Sequence, residues 1–151
     1  LLGAGGAARA IIAGMAKEKV KHVTIINRTI ENSLQLKEFS QNIGLDSEVK
    51  SIEEITELHA DYNFIINSSS LGLQNESNII PTQIINEETV VYDIVYKPVN
   101  TNLIKESKKK NAEIIYGYEM LLGQAIRSFE IWLGQKAPYD IMKKAILGVY
   151  S

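Results

Sequence analysis

The feature that most constrains this chain is a glycine-rich turn set between a short apolar run and a helix. Gly3-Ala4-Gly5-Gly6-Ala7-Ala8 fits Gly-x-Gly-x-x-Gly/Ala, with Ala8 in the last place. In such a turn Gly3 permits a sharp exit from a strand and Gly5 lets backbone approach a pyrophosphate. A small residue at Ala8 lets helix and strand pack closely. A helix beginning near Gly6 aims its free N–H groups and the positive end of its dipole at an anion. By itself the motif is weak, because a tight turn with no ligand uses the same residues. The context raises its value: Leu1-Leu2 reads as the end of a strand, a helix comes at once, and a second strand comes after it.

The rest of the chain alternates in the same way. Ala7 to about Lys19 carries Ala8, Ile11, Ile12 and Met15 at helical spacing. His22 to Asn27, centred on Val23-Thr24-Ile25-Ile26, is a short β-branched run and reads as a buried strand. Glu31 to Ile43 is helical, with Gly44 as its stop, and Asp46 to Lys50 is a short strand. Ser51 and Glu54 have the spacing of a capping box. Strands are expected at Tyr62–Ser68, Thr89–Tyr96 and Ala112–Tyr116, and helices at Asn102–Lys110, Leu121–Leu133 and Asp140–Tyr150. Alternating apolar strands and helices imply a parallel sheet covered on both faces. The expected fold is α/β, a three-layer, Rossmann-type doubly wound parallel sheet whose first strand is truncated to Leu1 and Leu2. With 151 residues the chain fits one domain, and opening without Met it reads as a piece of something longer.

Composition removes several functions. With no cysteine there is no disulfide framework, thiolate nucleophile or cysteine zinc site, and the chain suits a reducing cytoplasm. His22 and His59 lie outside any metal-ligand spacing, so no metal is expected. A net charge of -2 argues against nucleic acid as a partner. Apolar stretches such as Ala10–Ala16 are far below the roughly 18 residues that span a bilayer, and no signal peptide is expected. Lys108-Lys109-Lys110 reads as a solvated last helical turn.

The end of the second strand selects among nucleotides. Folds that bind NAD place Asp or Glu about 20 residues past the glycines, on the ribose 2′-hydroxyl. Here the strand ends in Asn27-Arg28-Thr29, with no acid. Arg28 can pair with a 2′-phosphate and stack on adenine, while Asn27 and Thr29 can donate hydrogen bonds, so NADP is expected over NAD. The plainer reading makes Arg28 a surface residue and Thr29 a helix cap. Asn67-Ser68-Ser69-Ser70-Leu71-Gly72 closes the next strand at the edge where α/β sheets bind ligands. Its small hydroxyls suit a ribose or phosphate, although for Ser70 and Leu71 an ordinary loop is equally expected.

Taken together, these residues resemble the C-terminal, NADP-binding domain of the shikimate dehydrogenase family, along essentially the whole chain. The most specific segments are Val91-Tyr92-Asp93-Ile94-Val95-Tyr96-Lys97-Pro98 with Thr101, and Gly117-Tyr118-Glu119-Met120-Leu121-Leu122-Gly123-Gln124-Ala125. The resemblance implies reduction of 3-dehydroshikimate to shikimate with NADPH, in aromatic amino-acid biosynthesis. It implies that Gly3, Ala4, Gly5, Gly6 and Ala7 lie along the pyrophosphate and that Asn27, Arg28 and Thr29 hold the 2′-phosphate. Asn67, Ser68, Ser69 and Ser70 would line the ribose, Ser69 standing where relatives have Thr. Gly117 and Met120 would meet the nicotinamide, Tyr96 and Gln124 the substrate, and a homodimer is possible. Read from the residues alone, a bond from Gln124 to a neighbouring loop is favoured over a substrate contact, and Tyr96 suits a half-buried core edge. Two departures stand out: Asn32 occupies a place basic in many relatives, which either weakens the preference for NADP or leaves Lys37 to help from the next turn, and Glu119 replaces a residue small in many relatives, which affects cofactor affinity.

The chain offers no convincing acid to protonate a carbonyl oxygen. The resemblance puts the catalytic Lys and Asp in an N-terminal substrate domain that is absent here, so these 151 residues are expected to be inactive alone. The rival readings are a quinate/shikimate dehydrogenase, the NADP domain of a glutamyl-tRNA reductase, and a non-catalytic NADP-sensing module. Phe129 and Trp132 read as core and Asp93 as a structural residue of the loop to Pro98. The stripe Ile141, Ala145, Ile146 and Val149 is expected to pack on the sheet, dock on another chain or be mobile.

Overall fold

A computed structural model describes residues 1–58, 62–70 and 80–150, with only the backbone of residues 149 and 150. In chain order the elements are α1 (Gly6–Lys17), β1 (His22–Asn27), α2 (Ile30–Asn42), β2 (Asp46–Ser51) and β3 (Phe64–Asn67). They continue with β4 (Val90–Asp93), α3 (Asn102–Lys109), β5 (Glu113–Tyr116), α4 (Gly117–Leu133) and α5 (Tyr139–Tyr150).

All strand pairs are parallel: β1 with β2, β3 with β4, and β4 with β5. Leu2 joins the two groups through parallel bridges to Ile26 on one side and Asn67 on the other. Counting Leu2 as the first strand, the order is 3-2-1-4-5-6, that of a doubly wound dinucleotide fold. The backbone confirms the placement. Leu2 N–H donates to Ile66 C=O and Ser68 N–H to Leu2 C=O, both at 2.8 Å, while Ile26 N–H reaches Leu1 C=O at 2.9 Å. The first strand, represented by Leu2, therefore lies at the middle of the sheet, as expected.

Two apolar clusters cover the two faces. Ala8 and Ile12 of α1 pack with Val23 and Ile25 of β1 and with Leu36 and Leu45. On the opposite face Leu2, Ile26, Ile65 and Val91 pack with Leu103 of α3 and with Ile55, Leu58, Ile84 and Ile85. Alternate residues of β1 thus serve different layers, which is why that strand is apolar throughout. Gly44 adopts a φ of +81° just beyond α2, as its role as a stop requires.

Three expectations change. Ser51 does receive the carboxylate of Glu54 on its N–H, at 2.6 Å, but the segment it opens is a short 3-10 turn, Glu53–Glu57. Helix α4 begins at Gly117, four residues before Leu121, because β5 runs into it with no linker. Trp132 is not core: it is 81% exposed, and Phe129 is only half-buried. The reason is that the far end of α4 leaves the sheet and packs against α5. Helix α5 in turn does not cover the sheet, and Ile141 is 71% exposed.

Candidate functional site

The glycine turn separates into residues that packing requires and residues that it does not. Gly3 has a φ of +97°, and a Cβ there would lie 2.9 Å from Ser68 Oγ and 3.0 Å from Ser68 carbonyl carbon. The fold itself demands glycine at that place. Gly5 differs: its backbone is extended, with φ -91° and ψ -166°, and a Cβ would meet no atom within 4 Å. Neither strain nor crowding explains glycine there, and Gly6 is open in the same way. As the residue preceding α1, Gly5 also brings no side chain to cap its N–H groups. The turn therefore presents bare backbone donors and a helix N-terminus on an exposed side, the arrangement that accepts a phosphate. Ala8 is fully buried beneath it, as close packing needs.

Beside this turn, at the C-terminal edge of the sheet, Gly3, Asn27, Arg28, Thr29, Ser69 and Ser70 line one cleft of about 340 Å³. Leu2, Ile26, Asn32 and Ile52 complete its wall. Residues from both halves of the sheet thus converge where the strand order reverses, the place at which α/β sheets bind ligands. Among the described residues lining the cleft, Arg28 is the one cation and there is no carboxylate. Asn27 Nδ2 donates to Thr29 C=O at 2.9 Å and shapes the turn that presents Arg28. Thr29 precedes α2 but makes no side-chain cap, which weighs against a purely structural role for its hydroxyl. Asn32 lines the cleft and Lys37 does not. Ile52 has no signature in the sequence: a single apolar residue after a strand could serve any purpose.

The serine loop is held from below. Ser68 Oγ donates to Leu2 C=O at 2.7 Å, and Asn67 Oδ1 accepts from Ser69 N–H at 3.1 Å and Ser69 Oγ at 2.6 Å. Asn67 and Ser68 are buried supports, whereas Ser69 and Ser70 reach the cleft. Leu71 and Gly72 of that motif, like His59, lie outside the described residues.

Gly117, Met120, Tyr96 and Gln124 do not line this cleft. Gly117, Met120 and Gln124 lie one, then two helical turns apart, on one face of α4. A Cβ on Gly117 would come within 2.5 Å of Ile94 carbonyl oxygen and 2.7 Å of that of Val95. This close approach seats the start of α4 on the loop that carries Tyr96, which is 40% exposed. The carboxylate of Glu119 accepts from Tyr116 N–H at 3.0 Å, so its work is to cap α4. The Tyr118 hydroxyl is pushed up by burial and by the neighbouring Glu119 and Tyr116. Among the described residues no group of His, Asp and Glu could hold a metal, and no helix is long and apolar enough to cross a membrane.

Comparison with known proteins adds a family to this geometry. A family model described as shikimate / quinate 5-dehydrogenase matches residues 1–105, and one for the shikimate 5′-dehydrogenase C-terminal domain matches residues 117–147. The shikimate dehydrogenase (NADP(+)) of Nitrosopumilus maritimus is 61% identical over 148 residues, covering 98% of this chain and 54% of that protein. The crystal structure of shikimate 5-dehydrogenase from Listeria monocytogenes, in complex with shikimate and NAD, superposes with a TM-score of 0.87 at 28% identity. It covers 96% of this chain and 54% of that one. The Thermus thermophilus shikimate 5-dehydrogenase, in complex with NADP(H) and shikimate, gives 0.78 at 29% identity over 96% of this chain and 52% of that one. The chain spans about half the length of the curated relatives it matches.

Proposed function

Because the chain belongs to the shikimate / quinate 5-dehydrogenase family, we propose that it is the NADP-binding domain, residues 1–151, of a shikimate dehydrogenase. The activity proposed for the whole protein is NADPH-dependent reduction of 3-dehydroshikimate to shikimate, a step of aromatic amino-acid biosynthesis. The observation that carries the cofactor assignment is the cleft with Arg28 and no carboxylate among its described lining residues. A carboxylate would repel a 2′-phosphate, whereas a guanidinium pairs with it through two N–H groups.

The residues fit the cofactor along its length. The open side of Gly5 and Gly6, with Ala4 and Ala7 beside them, takes the pyrophosphate on backbone donors. Asn27, Arg28 and Thr29 take the adenosine 2′-phosphate, and Ser69 and Ser70 the neighbouring ribose. Gly117 and Met120 face the nicotinamide, with Tyr96 and Gln124 on the substrate. When bound, the nicotinamide supplies the hydride. This chain supplies binding and orientation, and the acid that protonates the carbonyl belongs to a substrate domain outside these 151 residues. The proposal extends to a cytoplasmic location, which the absence of cysteine suits. It extends also to a homodimer, for which the exposed Ile131, Trp132 and Ile141 offer apolar surface.

The test is calorimetric titration of NADP+ and NAD+ into the chain and into Arg28→Ala. The expected result is a loss for NADP+ of about 10- to 100-fold, the size of one charge-assisted pair, with NAD+ nearly unchanged. Equal losses for both nucleotides would remove Arg28 from the 2′-phosphate.

A further inference from the structure

Asp93 ends β4 with 1% of its surface exposed, and three donors close on its carboxylate. Asn67 Nδ2 reaches Oδ1 at 3.0 Å and Val95 N–H reaches the same oxygen at 3.1 Å. Thr101 Oγ1 donates to Oδ2 at 2.6 Å. The donors come from three segments: the end of β3, the loop after β4 and the residue that caps α3.

Each contact leads further. Asn67 uses its other amide atom to accept from Ser69 N–H and Ser69 Oγ, which carries the chain of bonds to the cleft wall. Val95 leads directly to Tyr96, and the Ile94 and Val95 carbonyls are the atoms against which Gly117 is pressed. Asp93 is therefore the common anchor of three segments: the serine loop, the tyrosine loop and the base of α4.

Local structure does not need the carboxylate. Thr101 caps α3 by itself, accepting Ile104 N–H at 3.3 Å. The β3–β4 ladder is paired through its backbone. Burial pushes the Asp93 carboxyl above its ordinary value even with three hydrogen bonds opposing it, so the charge is held there at a cost. The serine loop has ties of its own, Ser68 N–H and Oγ to Leu2 C=O and Ile94 N–H to Asn67 C=O, whereas the carboxylate ties the Val95–Tyr96 loop to the end of β4.

We propose that Asp93 is a positioning residue that sets the Val95–Tyr96 loop, and the start of α4 pressed against it, in place for the nicotinamide half of the cofactor. This rests on the proposed function. It predicts a division between the two ends of the ligand, because Asn27–Thr29, with Ser69 and Ser70 across the cleft, take the adenosine end, whereas the Val95–Tyr96 loop follows β4 and meets the start of α4.

That division gives the test: calorimetric titration of the chain with NADP+ and, separately, with adenosine 2′,5′-bisphosphate, which carries the 2′-phosphate, its ribose and a 5′-phosphate but no nicotinamide half. Asp93→Ala is expected to weaken NADP+ by about tenfold or more, as a displaced loop does, and to leave the bisphosphate within about twofold. Asp93→Asn, whose Oδ1 still accepts from Asn67 and Val95, is expected to restore NADP+ to within about threefold of wild type. Asp93→Glu keeps the charge but is one methylene longer, and should show the same division even if Asp93→Ala does not fold. Equal losses for both ligands, or an NADP+ affinity that Asp93→Ala and Asp93→Glu leave unchanged, overturn the proposal while leaving the cofactor assignment standing. A wild-type chain that takes neither ligand overturns the proposed function, and the role of Asp93 with it.

Discussion

Gly5 and Gly117 show how differently two glycines can be required. At Gly117 an added methyl would meet the carbonyl oxygens of Ile94 and Val95 at 2.5 and 2.7 Å, and backbone cannot step aside as a flexible side chain can. Gly117→Ala is expected to destabilise the chain by about 2–3 kcal/mol, the usual result of forcing a group into a filled space. At Gly5 the methyl would meet nothing within 4 Å. The expected cost in stability for Gly5→Ala is at most about 1 kcal/mol, from a less favourable residue at a helix start. Its NADP+ affinity should nonetheless fall sharply. Urea midpoints together with calorimetry on both variants check the contrast: a large stability loss at Gly5, or an unaltered affinity, would mean that the open side of the turn holds no phosphate.

At the level of elements, the junction of β4 and α3 carries a pH dependence. Burial, the largest influence on Asp93, raises its carboxyl above the ordinary 3.8 in the folded chain. A folded state that holds a proton more tightly than the unfolded one gains from protonation. That stability is complete below the unfolded value and is lost as pH rises through the folded one. Replacing Asp93 by Asn removes the term. The melting temperature of wild type relative to Asp93→Asn should therefore fall as pH rises from 3.8 through that window, by about 2–4 °C for each kcal/mol involved. Thermal melts across that range decide it, and a difference that grows with pH would reverse the sign.

The elements also show what the sequence makes legible. The run Val23–Ile26 could hardly be anything but a buried strand, and the Asn27-Arg28-Thr29 end of that strand lines the cleft as its chemistry suggests. The start of α4 is hidden because it falls on Gly117, a poor helix former kept for its closeness to Ile94. Ile52 is hidden because reaching the cleft depends on how β2 ends, not on any local pattern. Trp132 misleads in the other direction, since an aromatic residue at helical spacing normally means core.

For the molecule as a whole, that last residue is a built-in reporter. Trp132 is the only tryptophan and is 81% exposed, beside Ile131 at 64% and Leu133 at 57%. In the monomer its emission should lie at the long-wavelength end of the indole range and be quenched by acrylamide about as strongly as free indole, since quenching follows access to solvent. A blue-shifted, protected Trp132 in dilute solution would mean that α4 and α5 are covered, by a second copy or by a different packing of α5.

The two sides of the sheet meet at Leu2, which bridges Ile26 on one side and Asn67 on the other. Asn27, Arg28 and Thr29 stand on one bank of that seam, and Ser69 and Ser70 on the other. A dinucleotide lying across the cleft would tie the banks together like a staple over a suture. Holding the ligand and holding the fold would then be a single act, and tighter binding would read out directly as a higher melting temperature.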